Sequence, residues 1–141
     1  MKPFNVRVYG LLEQQASVLV LREPFAGKDI YKFPGGGMEF GESTYDTLKR
    51  EFQEELGLEI EVGEHIYTQD FFVASITDPT EQIIMIYYQV ALISSQDLIQ
   101  IKDPAIAAYH WVPLSAISLF PLSLKADQVM IKRYLAQQKL R

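Results

Sequence analysis

The sequence predicts an α/β layered domain, a mixed β-sheet with helices on its faces. Two observations lead there. Alternating or β-branched apolar runs mark strands, the clearest over 4–12, 17–22 and 82–93, and apolar residues at helical spacing mark helices over 43–56 and 122–137. Strands and helices then interleave along the chain instead of segregating. With 141 residues and 48% hydrophobic content the chain is expected to form one domain, 1–141, around a sizeable core. It carries no internal repeat and no low-complexity segment.

Taken in order, FNVRVYGLL (4–12) and SVLVLR (17–22) are strands joined by a turn at EQQA. The polar stretch EPFAGKD (23–29) leads to a short extended piece, IYKF, which Pro34 and three glycines end. A helix follows from Ser43 to Leu56: Ser43 is a natural N-cap, Asp46 sits at the capping-box position, and Gly57 supplies the stop. Strands are expected at 59–62, 65–75 and 82–93, the last two forming a long hairpin across TDPTE. AAYHWVP (107–113) reads as a short strand, LSAI as a one-turn helix, and 122–137 as the second long helix. Pattern alone leaves the strand order open.

The formal net charge of −5 is unevenly placed. Residues 39–64 hold nine of the eighteen acids and only Lys49 and Arg50 as bases, so this segment carries −7 and the remainder +2. The bases outside it are scattered, which argues against a duplex nucleic-acid binder. With no cysteine, disulfides, thiolate metal sites and a cysteine nucleophile are excluded. Carboxylates, two histidines and backbone carbonyls are left as metal ligands, a set suited to hard cations such as magnesium or manganese. The amino terminus lacks a signal-type apolar core and the most apolar run, 83–93, is too short to span a bilayer, so a cytoplasmic protein without a membrane partner is expected. His65 and His110 lie in apolar strand-like runs and are read as packing residues.

Chemistry concentrates in FPGGGMEFGESTYDTLKREFQEELGL, residues 33–58. On the helix, Tyr45, Leu48, Phe52 and Leu56 fall on one stripe facing the sheet, and Glu51, Glu54 and Glu55 cluster beside it. Two carboxylates about 4 Å apart repel by roughly 4 kcal/mol at an effective dielectric near 20, so a cation should join them. Gly35, Gly36 and Gly37 lack side chains and can point carbonyls or amides at an ion or a phosphate. A glutamate-rich helix alone is more often a solvated face, and three glycines alone a turn. Their adjacency favours an ion site.

Gly36, Glu42 and the run Arg50-Glu51-Phe52-Gln53-Glu54-Glu55-Leu56-Gly57-Leu58 fill every defined position of G-x5-E-x7-R-E-U-x-E-E-x-G-U, with Phe52 the looser match to a bulky aliphatic. This resembles the Nudix box. The resemblance implies an α/β/α sandwich with a mixed sheet and an enzyme that uses water and magnesium or manganese to split the diphosphate of a nucleoside diphosphate-X substrate, a small nucleotide. By position, Glu51, Glu54 and Glu55 are implied as metal ligands with the carbonyl of Gly35 as a further one. Glu54 is implied as the general base, with Glu81 the downstream alternative and Asp78 a weaker one, and Arg50 with Glu42 as the supporting pair.

Around the box, Arg22, Lys28 and Lys32 are candidates to meet phosphate, with the Gly36 and Gly37 backbone, and Phe33, Phe71, Phe72 or Tyr88 to stack on a base. Trp111 looks like the tryptophan of the late Nudix strand, but Ile106, Ala107 and Ala108 stand where several relatives carry an acid. The chain also lacks the amino-terminal extension common in ADP-ribose hydrolases, so nucleoside triphosphates or other small nucleotides are expected as substrates. A nucleotide-sensing Nudix module is the alternative; such modules commonly lose box glutamates, and this chain keeps them. The isomerase branch of the superfamily relies on a cysteine that is missing here. A homodimer is left open.

Overall fold

The alternation of side chains in the first two strands decides the architecture. In the computed structural model, which describes residues 3–94 and 98–139, β1 runs Phe4–Gln14 and β2 Ser17–Phe25. Val8, Leu12, Leu19 and Leu21 point into one core, and Tyr9, Leu11, Val18 and Val20 into another, the period of two that a strand imposes. Gln15 and Ala16, at φ 50° and 61°, close the β1–β2 turn in the left-handed conformation that tight hairpins require.

β2 extends beyond the expected 17–22 because Glu23–Phe25 pair with β3 (Lys28–Lys32) across a second tight turn at Ala26 and Gly27. The stretch EPFAGKD is therefore a hairpin tip. The glycines, read from sequence as strained loop or turn, form a short strand β4 (Gly35–Gly37) antiparallel to β1. Helix α1 (Thr44–Leu56), β5 (Ile60–Thr68), β6 (Gln82–Leu92), β7 (Ala108–Pro113), a 3-10 turn at Ile117–Leu119 and helix α2 (Lys125–Lys139) follow.

The sheet is ordered β3-β2-β1-β6-β5, with β4 added to β1 and β7 to β2. β1 and β6 run parallel and the other pairs are antiparallel. It is the mixed sheet expected. Leu48, Phe52 and Leu56 of α1 cover one core, and Ala126, Met130, Ile131 and Tyr134 of α2 cover the other, giving an α/β/α sandwich.

β5 and β6 pair antiparallel as expected, but β5 differs in extent. The runs 59–62 and 65–75 merge across Gly63, with register irregularities between Val62 and Tyr67. The strand then stops at Thr68 because the buried Gln69 side chain takes over the ladder, accepting from Met85 N–H at 2.6 Å and donating to Phe71 O and Ile83 O at 2.6 and 3.1 Å. Residues 69–75 stay tied to β6 by Gln69 N–H donating to Met85 O at 2.9 Å, Ile83 N–H donating to Val73 O at 2.8 Å, and an isolated bridge, Ala74 to Gln82. Among the described residues no helix is long and apolar enough to cross a membrane.

Helix α1 can lie close to β1 because Gly10 leaves room: a Cβ there would come 2.8 Å from the Phe52 ring and 3.1 Å from Val90. Gly10→Val should therefore overpack this core and lower stability by about 1–3 kcal/mol. The urea midpoint should fall at unchanged slope.

Candidate active site

Helix α1 begins as its sequence dictates. Asp46 N–H donates to Ser43 Oγ at 3.1 Å, and Ser43 N–H donates to Asp46 Oδ2 at 3.0 Å. Gly57, at φ 65°, ends it. The buried face is rotated from the expected stripe. Tyr45 is 46% exposed and meets Tyr88 edge-on, while Thr47 is buried in its place and donates to Glu42 Oε1 at 3.1 Å. The buried side thus runs Thr47, Leu48, Phe52, Glu55, Leu56. One carboxylate lies inside the helix-sheet interface.

Arg50 ties this helix to the glycine strand. Its Nε donates to Glu42 Oε2 at 2.7 Å and its Nη2 to Glu42 Oε1 at 3.0 Å, a two-pronged pair. Nη2 also reaches the Gly37 carbonyl at 2.9 Å, and Nη1 reaches Glu51 Oε1 at 3.0 Å and Glu54 Oε2 at 3.3 Å. Glu42 also accepts from the Glu39 amide. Held chiefly by Arg50, its carboxyl is pulled down to about 2. The Arg50 pKa moves the other way, raised first by Glu42 and then by Glu51.

The remaining carboxylates are pushed in the opposite sense. Burial raises Glu51, against the opposing pull of Arg50, and burial followed by the nearby Glu51 raises Glu55 to about 8. Glu55 is 8% exposed and its Oε1 has no hydrogen-bond partner, an arrangement that costs free energy unless a cation or proton compensates. Glu51 lies against Gly36, where a Cβ would come 2.4 Å from its carboxyl carbon. A side chain at position 36 would have to displace the Glu51 carboxylate. Gly35, at φ 150°, is packed so tightly that a Cβ would meet Val8 O at 2.1 Å. Gly10 N–H bonds to Pro34 O and Met38 N–H to Val6 O, so the alternation of an antiparallel ladder turns the Gly35 and Gly37 carbonyls away from β1.

These oxygens suit a hard divalent cation: carboxylates at one helical turn, one with an orphan buried atom, and a glycine carbonyl beside them. The donors are not yet gathered. Arg50 draws Glu51 and Glu54 to itself, and among the described residues no three His, Asp or Glu side chains are arranged to hold a metal ion.

The other expected residues divide. Lys32 lines a cleft of about 320 Å³ and pairs with Glu23 at 3.1 Å. Glu81 lines the same cleft, accepting from Asn5 Nδ2 at 3.3 Å. Arg22 does not line it and pairs with Asp29 at 3.5 Å near the β2–β3 tip, where Lys28 is also exposed. Phe33 is 0% exposed, so its ring offers no face to a base; it fills the α2-side core because Pro34 and the glycine strand turn its side chain inward. Phe71 lies under Lys125 Nζ at 4.5 Å, Phe72 is exposed, and Tyr88 is bonded to Thr44 Oγ1 on the α1 side. Asp78 is bound to Thr80 in an exposed turn.

Ile106 is buried in the α1-side core and Trp111 is partly exposed on β7. His65, exposed, bonds to Thr68, while His110 is half-buried with Nε2 unpartnered among the described residues.

Sequence reasoning missed Asn5, Arg7 and Tyr9, which face the cleft from β1, and the buried Asp127 of α2. Asp127 accepts from Phe33 N–H at 3.3 Å and from the Tyr87 hydroxyl. Burial raises its pKa to about 7, against the pull of those two donors. The signals were faint: polar residues at every second position of an otherwise apolar strand, and one acid on the apolar side of a helix.

A sequence profile of the NUDIX domain matches residues 1–134. A comparison with curated proteins gives no match. Among solved structures, the E. coli ORF135 protein in solution superposes with a TM-score of 0.81 at 22% identity, covering 99% of this chain and 94% of that one. A MutT protein from Methanosarcina mazei Go1 gives 0.78 at 22% identity, covering 98% and 97%. An ADP-ribose pyrophosphatase from Streptococcus suis gives 0.63 at 17%, covering 92% and 90%. At such identities these are likenesses of fold.

Because burial favours the protonated form of Glu55, the folded protein keeps a proton there that the unfolded chain releases above its ordinary 4.5. This contribution to stability is full below that value and is lost as pH rises to about 8. In chelator, the wild type should lose on the order of a few kcal/mol across this range relative to Glu55→Gln. Parallel urea-midpoint curves for the two proteins would show that Glu55 is not buried as described.

Proposed function

The chain belongs to the NUDIX domain family as a Nudix-type pyrophosphohydrolase, and on that footing we propose that it hydrolyses the diphosphate linkage of a nucleoside diphosphate-X substrate, a nucleoside triphosphate or related small nucleotide, with magnesium or manganese. One observation carries the reading. Glu55 holds a buried oxygen without a partner one helical turn from Glu51, whose carboxylate fills the space that Gly36 leaves. A surface helix that only met water would not bury such a group.

In this reading Glu51, Glu54 and Glu55, with the carbonyl of Gly35, are the residues that would hold the cation. When bound, it would neutralise phosphoryl oxygens and make attack by water on phosphorus feasible at neutral pH. The chain's own residues supply the rest. Arg50, fixed by Glu42 and the Gly37 carbonyl, keeps the glycine strand and α1 in register and limits repulsion among the glutamates. Glu54, the most exposed of the three at 60% of its side chain and held by Arg50 at 3.3 Å, is the carboxylate that would take the proton from the attacking water, with Glu51, Glu55 and the Gly35 carbonyl then left to the cation. As the water oxygen bonds to phosphorus, the bond from phosphorus to the bridging oxygen breaks and the leaving phosphate departs.

Glu81 is the competing base, since it faces the cleft, whereas Asp78 is occupied by Thr80. The names of the solved neighbours, from MutT to ADP-ribose pyrophosphatase, fit a shared diphosphate joined to a variable group.

Formation of nucleoside monophosphate from a panel of nucleoside triphosphates, ADP-sugars and dinucleotides, with and without magnesium, tests the activity. Glu54→Gln should lower kcat by at least about a hundredfold while the circular dichroism spectrum is kept. Unchanged turnover there, with loss in Glu81→Gln, would move the base to the cleft. Millimolar magnesium should also raise the melting temperature of the wild type, because the ion binds the native site and not the unfolded chain; a flat melting temperature would count against the cation site.

A further inference from the structure

The cleft between β1 and the β2–β3 hairpin has two unlike ends. At one end Arg7, on its wall, feels the charges of Glu51 and Glu55; elsewhere it is lined by Phe25, Ile30, Ile76, Ile83 and Leu124, with Asn5 and Glu81 as its polar pair. Arg7 sits at the junction, opposite Gly37 in the β1–β4 register. A Cβ on Gly37 would lie 3.5 Å from Arg7 Nη1, an ordinary contact distance, which places the guanidinium beside the glycine strand.

Arg7 is unlike the other cations near the site. Arg50 is committed to Glu42, Glu51 and Glu54, Lys32 to Glu23, and Arg22 to Asp29. Among the described residues no acid comes within ion-pair distance of Arg7, although it is half-buried and the charges of Glu51 and Glu55 act on it from farther off. Its Nε donates to Tyr9 Oη at 2.6 Å, which fixes the plane of the fork and leaves the terminal nitrogens for another acceptor. Tyr9 is itself immobile: it is buried and stacked on Tyr87 at 5.5 Å, and the Tyr87 hydroxyl is anchored on Asp127. A half-buried guanidinium held rigid with unfilled donors is built to take an oxyanion.

We propose that Arg7, clamped by Tyr9, binds the phosphate attached to the nucleoside, in the substrate and in the nucleoside monophosphate product alike. The assignment rests on the nucleotide reading above, and it follows from order along the cleft. A substrate with its diphosphate at the glutamates and its base among the apolar residues must pass its innermost phosphate across Arg7. Tyr9 is then a positioning residue, acting through Arg7.

Calorimetric titration in chelator, with AMP, GMP, CMP and UMP and with the four parent nucleosides, tests this without turnover or metal. At least one monophosphate should bind the wild type more tightly than its nucleoside. Arg7→Met should weaken that monophosphate by at least about tenfold, as expected for losing charge-assisted hydrogen bonds, and leave the nucleoside unchanged. Arg7→Lys should recover part of the loss, and Tyr9→Phe should weaken the monophosphate several-fold with the nucleoside again unaffected. In turnover, KM should rise in Arg7→Met with the magnesium-dependent melting shift kept.

Equal monophosphate affinity in wild type and Arg7→Met would overturn the inference. So would a parallel loss of nucleoside binding, or a wild type that binds no monophosphate better than its nucleoside. A wild type that binds as expected but hydrolyses nothing would remove the hydrolase reading and leave the role of Arg7 standing.

Discussion

Arg50 fixes the distance between helix α1 and the glycine strand, and the rest of the site depends on that distance. One guanidinium meets both oxygens of Glu42, the carbonyl of Gly37, and the carboxylates of Glu51 and Glu54. A lysine could not do this, because a single ammonium has no planar fork with which to grip Glu42 twice while reaching a backbone carbonyl. The grip also sorts the acids by protonation: Glu42 is held ionised, while Glu51 and Glu55, packed against strands, are pushed toward the neutral form.

Why acids should be packed there at all follows from the width of the buried face. A helix lying on a sheet buries more than a narrow apolar seam, and here the seam of Leu48, Phe52 and Leu56 is flanked by Thr47 and Glu55 within the contact. Thr47 satisfies itself on Glu42 and Ser43. Glu55 does not: Lys102 N–H donates to its backbone carbonyl at 2.8 Å, while the side-chain Oε1 has no partner and the nearby charge of Glu51 acts on the carboxyl. The destabilisation of the helix is local, and a bound cation would reverse it, so in this reading the fold of α1 and occupation of the site are coupled.

Much of this was legible in the residues. Ser43, Asp46 and Gly57 marked the ends of α1 to within a residue, since capping is a local matter of hydrogen bonds, and the alternation of β1 and β2 marked a sheet with two covered faces. What failed was set by partners distant in sequence. Tyr45 has the right spacing for the core but finds Tyr88 at the rim. The glycines become a strand because β1 has an unfilled edge, a fact that no property of the glycines announces. Gln69 ends β5 with its side chain, against a favourable local pattern. For the site, the box spacing pointed to α1 and the glycines, while Asn5, Arg7 and Tyr9 come from a strand about thirty residues upstream, brought beside the box only by sheet pairing. Arg22 and Phe33 were sought near the glycines in sequence, and the pleat sends both elsewhere.

The approach to the glycine strand is held from the far end of the chain. Tyr31 exchanges two bonds with Ser123, and the Phe33 amide is held by Asp127, across separations of 92 and 94 residues. On a ribosome adding roughly 5–20 residues per second, α1 and its glutamates emerge seconds before the partners that secure this approach. During that interval the acids stand in water, where their mutual repulsion is screened and cheap. They enter a low-dielectric setting only when the late-made segment docks, so the electrostatic strain of the site is deferred to the last steps of folding, by which time most of the sheet that must bear it has been made.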